Sequence, residues 1–182
     1  MQTEKQKLRE VLLAMRKALP IHLVNQYSED ICQQIILFKP FQNAKNIAYY
    51  HALAHEVSLA GLSQIPRKVF YVPKITHQSM FFCHDHAPYI KNQFGIMEPT
   101  NNHDIAIKNL DIIFVPMVGF DRLGHRLGMG KGYYDNLLTP QTQCPLLVGI
   151  AYSFQERPHI PLEHHDKCMD YIITEKTILK CN

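Results

Sequence analysis

Residues 111–138 read DIIFVPMVGFDRLGHRLGMGKGYYDNLL, and the order of elements in this stretch sets the fold class. Asp111-Ile112-Ile113-Phe114-Val115-Pro116 is a short apolar run of the kind buried in a parallel sheet. Tyr133-Tyr134-Asp135-Asn136-Leu137-Leu138 reads as the first turns of a helix. Between them fall five of the chain's eight glycines, and Gly128, Gly130 and Gly132 alternate. Alternating glycines remove Cβ atoms where a backbone turns tightly or presses against something. A strand, a glycine-rich loop and a helix start, in that order, is how α/β proteins hold phosphate on backbone N–H groups. Arg126 and Lys131 add positive charge, and Asp135 adds a carboxylate suited to a metal. A glycine-rich turn that merely packs tightly remains compatible with the same residues.

The loop is neither of the common nucleotide fingerprints. A P-loop requires a glycine five residues ahead of its Gly-Lys pair and a Ser or Thr after it; here those positions are His125 and Gly132. The dinucleotide spacing G-x-G-x-x-G is replaced by G-x-G-x-G.

Outward from this stretch, helix and strand patterns alternate. Leu8, Val11, Leu12, Met15 and Leu19 recur at helical steps, predicting a helix up to Pro20, and Ile31, Ile35 and Phe38 suggest a second over about 22–38. Strands are expected at 46–50, 68–72, 79–83, 111–115, 146–151 and 171–174, with a short helix near 57–64. This alternation predicts a single α/β domain over residues 1–182, three layers deep, with a mostly parallel central sheet. Ligands of such sheets bind outside the strands' carboxyl ends, so the loops after Tyr50, Val72, Val115 and Ala151 are where function should gather.

Composition narrows the possibilities. The chain is 46% hydrophobic and 19% charged, as expected of an ordinary globular domain. No apolar run reaches the roughly 18–20 residues of a membrane span. The charged start MQTEKQKLRE lacks the apolar core of a signal peptide, so a cytoplasmic location is expected. The net charge of +3 comes without a basic tract, which fits a small anionic ligand; neither nucleic acid nor membrane is an expected partner. The five cysteines are scattered without a C-x-x-C pair, against a disulfide framework or a structural zinc site. In Cys83-His84-Asp85-His86, the two histidines share one face of a strand and could ligate a metal or simply mark a solvated strand end.

Phe120-Asp121, Gly124, Arg126-Leu127-Gly128, Gly130, Gly132 and Tyr133-Tyr134-Asp135, taken in order, resemble the signature of 5-formyltetrahydrofolate cyclo-ligases, also called methenyltetrahydrofolate synthetases. Tyr71-Val72-Pro73-Lys74, the turn Phe94-Gly95-Ile96-Met97-Glu98-Pro99 and the segment His164–Glu175 resemble that family as well. The resemblance implies ATP- and Mg²⁺-dependent conversion of 5-formyltetrahydrofolate to 5,10-methenyltetrahydrofolate, with ADP and phosphate released. A non-catalytic nucleotide- or folate-binding module and another ATP-dependent enzyme on the same scaffold are the alternatives.

The same resemblance assigns roles. Arg126 and Lys131 would be catalytic, neutralising the phosphates as a planar fork and a mobile point charge respectively. ATP would be held by Lys5, Arg9, Arg126, Gly128, Met129, Gly130, Lys131, Gly132, Tyr133 and Tyr134. Lys5 and Arg9 share a helix face; alone they would read as a solvated basic surface. The folate would contact His51, Glu56, Met129 and Tyr133, with Glu56 accepting N–H bonds from the pterin. His51 and His55 depart from the family's usual loop, and without the resemblance Glu56 would be only the acidic first turn of a helix. Asp135 and Asp166 would hold Mg²⁺, although Asp166 alone could equally be a cap or turn residue. The spacing His164-His165-x-x-Cys168 hints at zinc, but no further thiols cluster there.

Overall fold

Thr3 opens the first helix with a reciprocal cap. Its hydroxyl accepts from the Gln6 amide while the Gln6 side chain accepts from the Thr3 amide, pairing donors that a helix start leaves free. This helix, α1 (Glu4–Lys17), is followed by α2 (Ile21–Leu37), which starts directly after Pro20, and by α3 (Lys39–Asn43). The computed structural model describes residues 3–76, 79–86, 88–92, 95–100, 103–138, 144–163 and 166–181.

The strands follow as β1 (Asn46–Ala48), β2 (Val69–Ile75), β3 (Met80–His84), β4 (Tyr89–Lys91), β5 (Met97–Pro99) and β6 (Asp104–Ile105). After them come β7 (Ile112–Pro116), β8 (Gly119–Phe120), β9 (Arg126–Leu127), helix α4 (Tyr133–Leu138), β10 (Leu146–Ile150), β11 (Tyr171–Ile173) and β12 (Ile178–Lys180). The main sheet has eight strands in the order β12-β11-β10-β7-β1-β2-β3-β6. The five from β11 to β2 run parallel, as the alternation predicts. Antiparallel strands flank them: β12 beyond β11, and β3 then β6 beyond β2.

Period-two alternation divides the core between the sheet's faces. Ile112, Phe114, Val148, Ile150 and Ile173 pack in one cluster with Ile31 and Ile35 of α2 and Phe41 of α3. Ile113, Val115, Leu147 and Ile172 pack in another, with Met80 and Phe82 of β3 and Leu138 of α4. Burial on both faces is why β7 is continuously apolar. Each such side chain, fully buried, contributes roughly 1.5–3 kcal/mol.

Three differences from the sequence expectation matter to the site. The helix expected near 57–64 is a single 3-10 turn, Ala60–Leu62, with Gly61 in its middle; Arg67, beyond it, lies in the left-handed region at φ 66°. Strand β2 does not stop at Val72 but continues through Pro73 to Ile75. Its pairing with β1 ends at Tyr71, so the missing N–H of Pro73 costs no ladder bond on that side. Finally, the run after β7 is not all loop. β8 and β9 form a small hairpin, and Arg126 lies on its second strand.

Candidate active site

β1 and β7 are parallel neighbours, so the chain leaves both at the same edge of the sheet and their following loops open side by side. Strand β2 ends on that edge too, and α1 lies across the opening through Lys5 and Arg9. Together they enclose a cleft of about 560 Å³, within the size range of small-molecule sites. Every site residue expected from the sequence lines it: Lys5, Arg9, His51, Glu56, Arg126, Gly128 to Asp135, and Asp166. Tyr50, Leu53, Pro73, Ile75, Met80, Ile96, Pro116 and Leu127 supply the apolar wall.

The glycine loop forms one part of the lining. Gly130 has φ +85° and Gly132 φ +68°, values that L side chains rarely adopt. Arg9 donates from Nε to the Gly128 carbonyl at 2.8 Å, and a Cβ built on Gly130 would lie 3.3 Å from its Cζ. Arg9 therefore braces the loop from below. Lys131 is exposed and has no hydrogen bond or ion pair among the described residues. Arg126 is in a different situation from the one its sequence suggests. It is 7% exposed and donates to the Asp135 carboxylate and to the Lys167 carbonyl.

The two candidate metal carboxylates are thus each on a cation. Asp135 holds Arg126, and Asp166 accepts from Lys5 Nζ at 2.8 Å and from the Glu163 amide at 2.9 Å. Lys5 also reaches Glu163 at 3.0 Å. Burial works against its charge, but these hydrogen bonds outweigh burial and raise Lys5 above the ordinary lysine value. The donor chemistry nevertheless fits Mg²⁺, a hard ion that takes one or two carboxylates and completes its shell with water and phosphate oxygens.

Glu56 forms another part of the lining. It is 8% exposed, accepts from the Leu53 amide at 2.9 Å and pairs with Arg16 at 3.3 Å. His51 is held between two acceptors: its Nδ1 lies 2.7 Å from the Met97 carbonyl and its Nε2 3.2 Å from Asp85. The Asp85 hydrogen bond, opposed by burial, raises the His51 pKa above 6.5, and a protonated ring donates at both nitrogens. Asp85 also accepts from the Tyr49 and Tyr89 hydroxyls. Burial opposes its charge, yet the bonds from His51 and Tyr49 keep it below 3.8. The sequence draws attention to Asp85 only as part of a possible histidine metal cluster. The His84 and His86 rings lie 6.0 Å apart, and no group of three or more metal-ligating side chains occurs among the described residues.

Of the remaining motifs read from the sequence, the 94–99 turn reaches the cleft through Ile96, whereas Lys74 is not part of its lining. Lys74 lies on β2 and reaches the Thr100 carbonyl at 3.4 Å. The turn at Gly95 has φ +81° and leads into β5; Phe94 in that motif, and His164 and His165 in the C-terminal one, lie outside the described residues. All five cysteines are free thiols. Among the described residues no helix is long and apolar enough to cross a membrane. Arg16 is missed by sequence reasoning altogether, although it continues the stripe Lys5, Arg9, Leu12 at four- and three-residue steps.

Comparison with known proteins places the chain beside one family. The model of the 5-formyltetrahydrofolate cyclo-ligase family matches residues 1–175. The 5-formyltetrahydrofolate cyclo-ligase of Haemophilus influenzae is 35% identical over 175 residues, 90% of each chain. That of Mus musculus is 28% identical over 163 residues, 80% of each. Among solved structures, the Aquifex aeolicus 5,10-methenyltetrahydrofolate synthetase matches with a TM-score of 0.87 at 33% identity, covering 98% of this chain and 93% of that one. The enzyme of Mycoplasma pneumoniae matches with a TM-score of 0.77 at 27% identity, covering 95% and 99%.

Proposed function

The chain belongs to the 5-formyltetrahydrofolate cyclo-ligase family, and from that premise we propose that its cleft brings ATP to the glycine loop and the folate to Glu56. The reaction is conversion of 5-formyltetrahydrofolate to 5,10-methenyltetrahydrofolate. The observation that carries the division of the cleft is that both sets of residues line one cavity, with Lys131 on one loop and Glu56 on another.

The chemistry explains the need for ATP. Amide resonance makes the formyl oxygen a poor leaving group. Transfer of the γ-phosphoryl group onto that oxygen activates the formyl carbon; N10 then attacks it, the five-membered ring closes, and phosphate departs while the N10 proton is released to the phosphate or to water. No covalent nucleophile from the protein is required, so catalysis is positioning and charge neutralisation.

On this reading the loop amides from Gly128 to Gly132 and the exposed cation Lys131 receive the phosphates. Arg126, held by Asp135, supplies a fixed charge beside them, while Lys5 exchanges Asp166 for a phosphate oxygen. Asp135 and Asp166 would hold Mg²⁺, which when bound neutralises charge on the transferring group. Glu56 retains lone pairs beyond its bonds to Leu53 and Arg16, enough to accept two pterin N–H groups. Leu53, Ile75, Met80, Ile96 and Leu127 keep water from the reacting centre.

Purified protein supplied with ATP, Mg²⁺ and 5-formyltetrahydrofolate should build up the methenyl chromophore with an equal amount of ADP. ADP release that proceeds equally well without the folate would overturn the proposal in favour of a different ATP-dependent reaction.

A further inference from the structure

Arg16 belongs to none of the groups that line the cleft, yet it is 6% exposed and its guanidinium lies 3.3 Å from Glu56. A cation is buried this completely only when something compensates its desolvation, and Glu56 is the ion-pair partner found among the described residues. The converse also holds. The surroundings of Glu56 include Tyr50, Tyr134 and Tyr152, and burial pushes all three phenols above their ordinary value, so none of them carries charge at neutral pH. The Tyr50 hydroxyl donates to the Val57 carbonyl at 2.9 Å, and the buried Tyr134 hydroxyl has no hydrogen-bond partner among the described residues. The contacts of the carboxylate are the Leu53 amide, which donates to it at 2.9 Å, and the Arg16 guanidinium, which pairs with it at 3.3 Å.

We propose that Arg16 is the positioning residue of the folate site: from behind the cleft wall its ion pair keeps the Glu56 carboxylate aimed at the pterin. This inference rests on the reading of Glu56 as the folate carboxylate. Without Arg16, a carboxylate that is 8% exposed would lose its ion-pair partner and keep the Leu53 amide as the contact that orients it. Free to turn about its side-chain torsions, it would present its lone pairs less well to two N–H donors. The inference also gives α1 a double role. Lys5, Arg9, Leu12 and Arg16 form one stripe, with Leu12 fully buried between the second and third cations. Lys5 and Arg16 are eleven positions apart, about 16 Å along the axis at ~1.5 Å per residue. One helix therefore steadies the phosphate loop through Arg9 and the folate carboxylate through Arg16.

The test is a double-mutant cycle of Arg16→Met and Glu56→Gln, with Arg16→Lys as the conservative replacement and thermal melts to confirm folding. Initial rates are measured with each substrate varied in turn. Arg16→Met should raise the KM for 5-formyltetrahydrofolate about ten-fold and leave the ATP KM within about two-fold. Arg16→Lys should recover most of the loss. Added to Glu56→Gln, Arg16→Met should change the folate KM by less than about two-fold, since the carboxylate it serves is gone. Should Arg16→Met fail to fold, the double variant, free of the unpaired charge, and Arg16→Lys carry the comparison. A raised folate KM in Glu56→Gln with additive effects, or with no effect from any Arg16 variant, overturns the role of Arg16 alone. An unchanged folate KM in Glu56→Gln overturns the reading of Glu56, and this inference with it.

Discussion

Lys5 donates to Asp166 at 2.8 Å and so ties the first turn of α1 to the C-terminal segment at the cleft. The contact pairs a residue read as a phosphate ligand with one read as a metal ligand. Arg126 and Asp135 repeat the arrangement across the same cleft. Two cations and two carboxylates are therefore held in place by each other.

Asp166→Asn and Asp135→Asn should each raise the Mg²⁺ concentration needed for half-maximal rate, because an amide keeps an oxygen donor but loses the charge a hard cation favours. Lys5→Ala should raise the ATP KM roughly ten-fold through a lost charge-assisted bond, without changing the folate KM. Mg²⁺ titrations of both Asn variants that overlay the parent curve would refute the metal reading.

Gly130 and Gly128 should behave differently. A side chain on Gly130 faces φ +85° and the Arg9 guanidinium 3.3 Å away, so Gly130→Val should lower the melting temperature and abolish ATP use. A Cβ on Gly128 meets nothing within 4 Å. Gly128→Ala should therefore melt like the parent, and any rise in its ATP KM reports a phosphate close to the backbone there. A Gly130→Val protein with parental ATP kinetics would show that the loop's shape is irrelevant to nucleotide binding.

The His51–Asp85 pair predicts a pH dependence of stability. The Asp85 hydrogen bond raises His51 above 6.5, so its contribution is complete below 6.5 and is lost as pH rises through the raised folded value. Asp85 is lowered from 3.8 despite burial, so its contribution is complete above 3.8 and is lost as pH falls through the depressed folded value. The pair should contribute fully between about 3.8 and 6.5 and weaken toward alkaline pH. Melting temperature against pH should show that decline in the parent and a flatter curve in His51→Gln. Parallel curves would contradict it.

The parts of this account that the sequence discloses are those written in neighbouring residues. The apolar run Ile112–Pro116 and the alternating glycines reveal strand and loop because each signal is local. The resemblance then names the cleft's members, Lys5 through Asp166, which the structure brings together. What stays hidden depends on contacts between distant segments. Arg16 looks like one more basic residue at the end of α1 until the loop carrying Glu56 folds over it. The role of Asp85 emerges only when Tyr49, His51 and Tyr89 converge on it from two other segments. Arg126 reads as a loop cation because two-residue strands such as β8 and β9 leave almost no periodic pattern.

The account's central claim, one cleft with separate nucleotide and folate ends, is tested most directly by comparing Lys131→Ala with Glu56→Gln in the same assay, each substrate varied in turn. Lys131→Ala should impair ATP use by about 10²-fold, as for loss of one donor to transferring charge, and leave the folate KM within about two-fold. Glu56→Gln should raise the folate KM roughly five- to a hundred-fold and leave the ATP KM unchanged. If both variants damage the same substrate, or Glu56→Gln harms only ATP, the division of the cleft is contradicted.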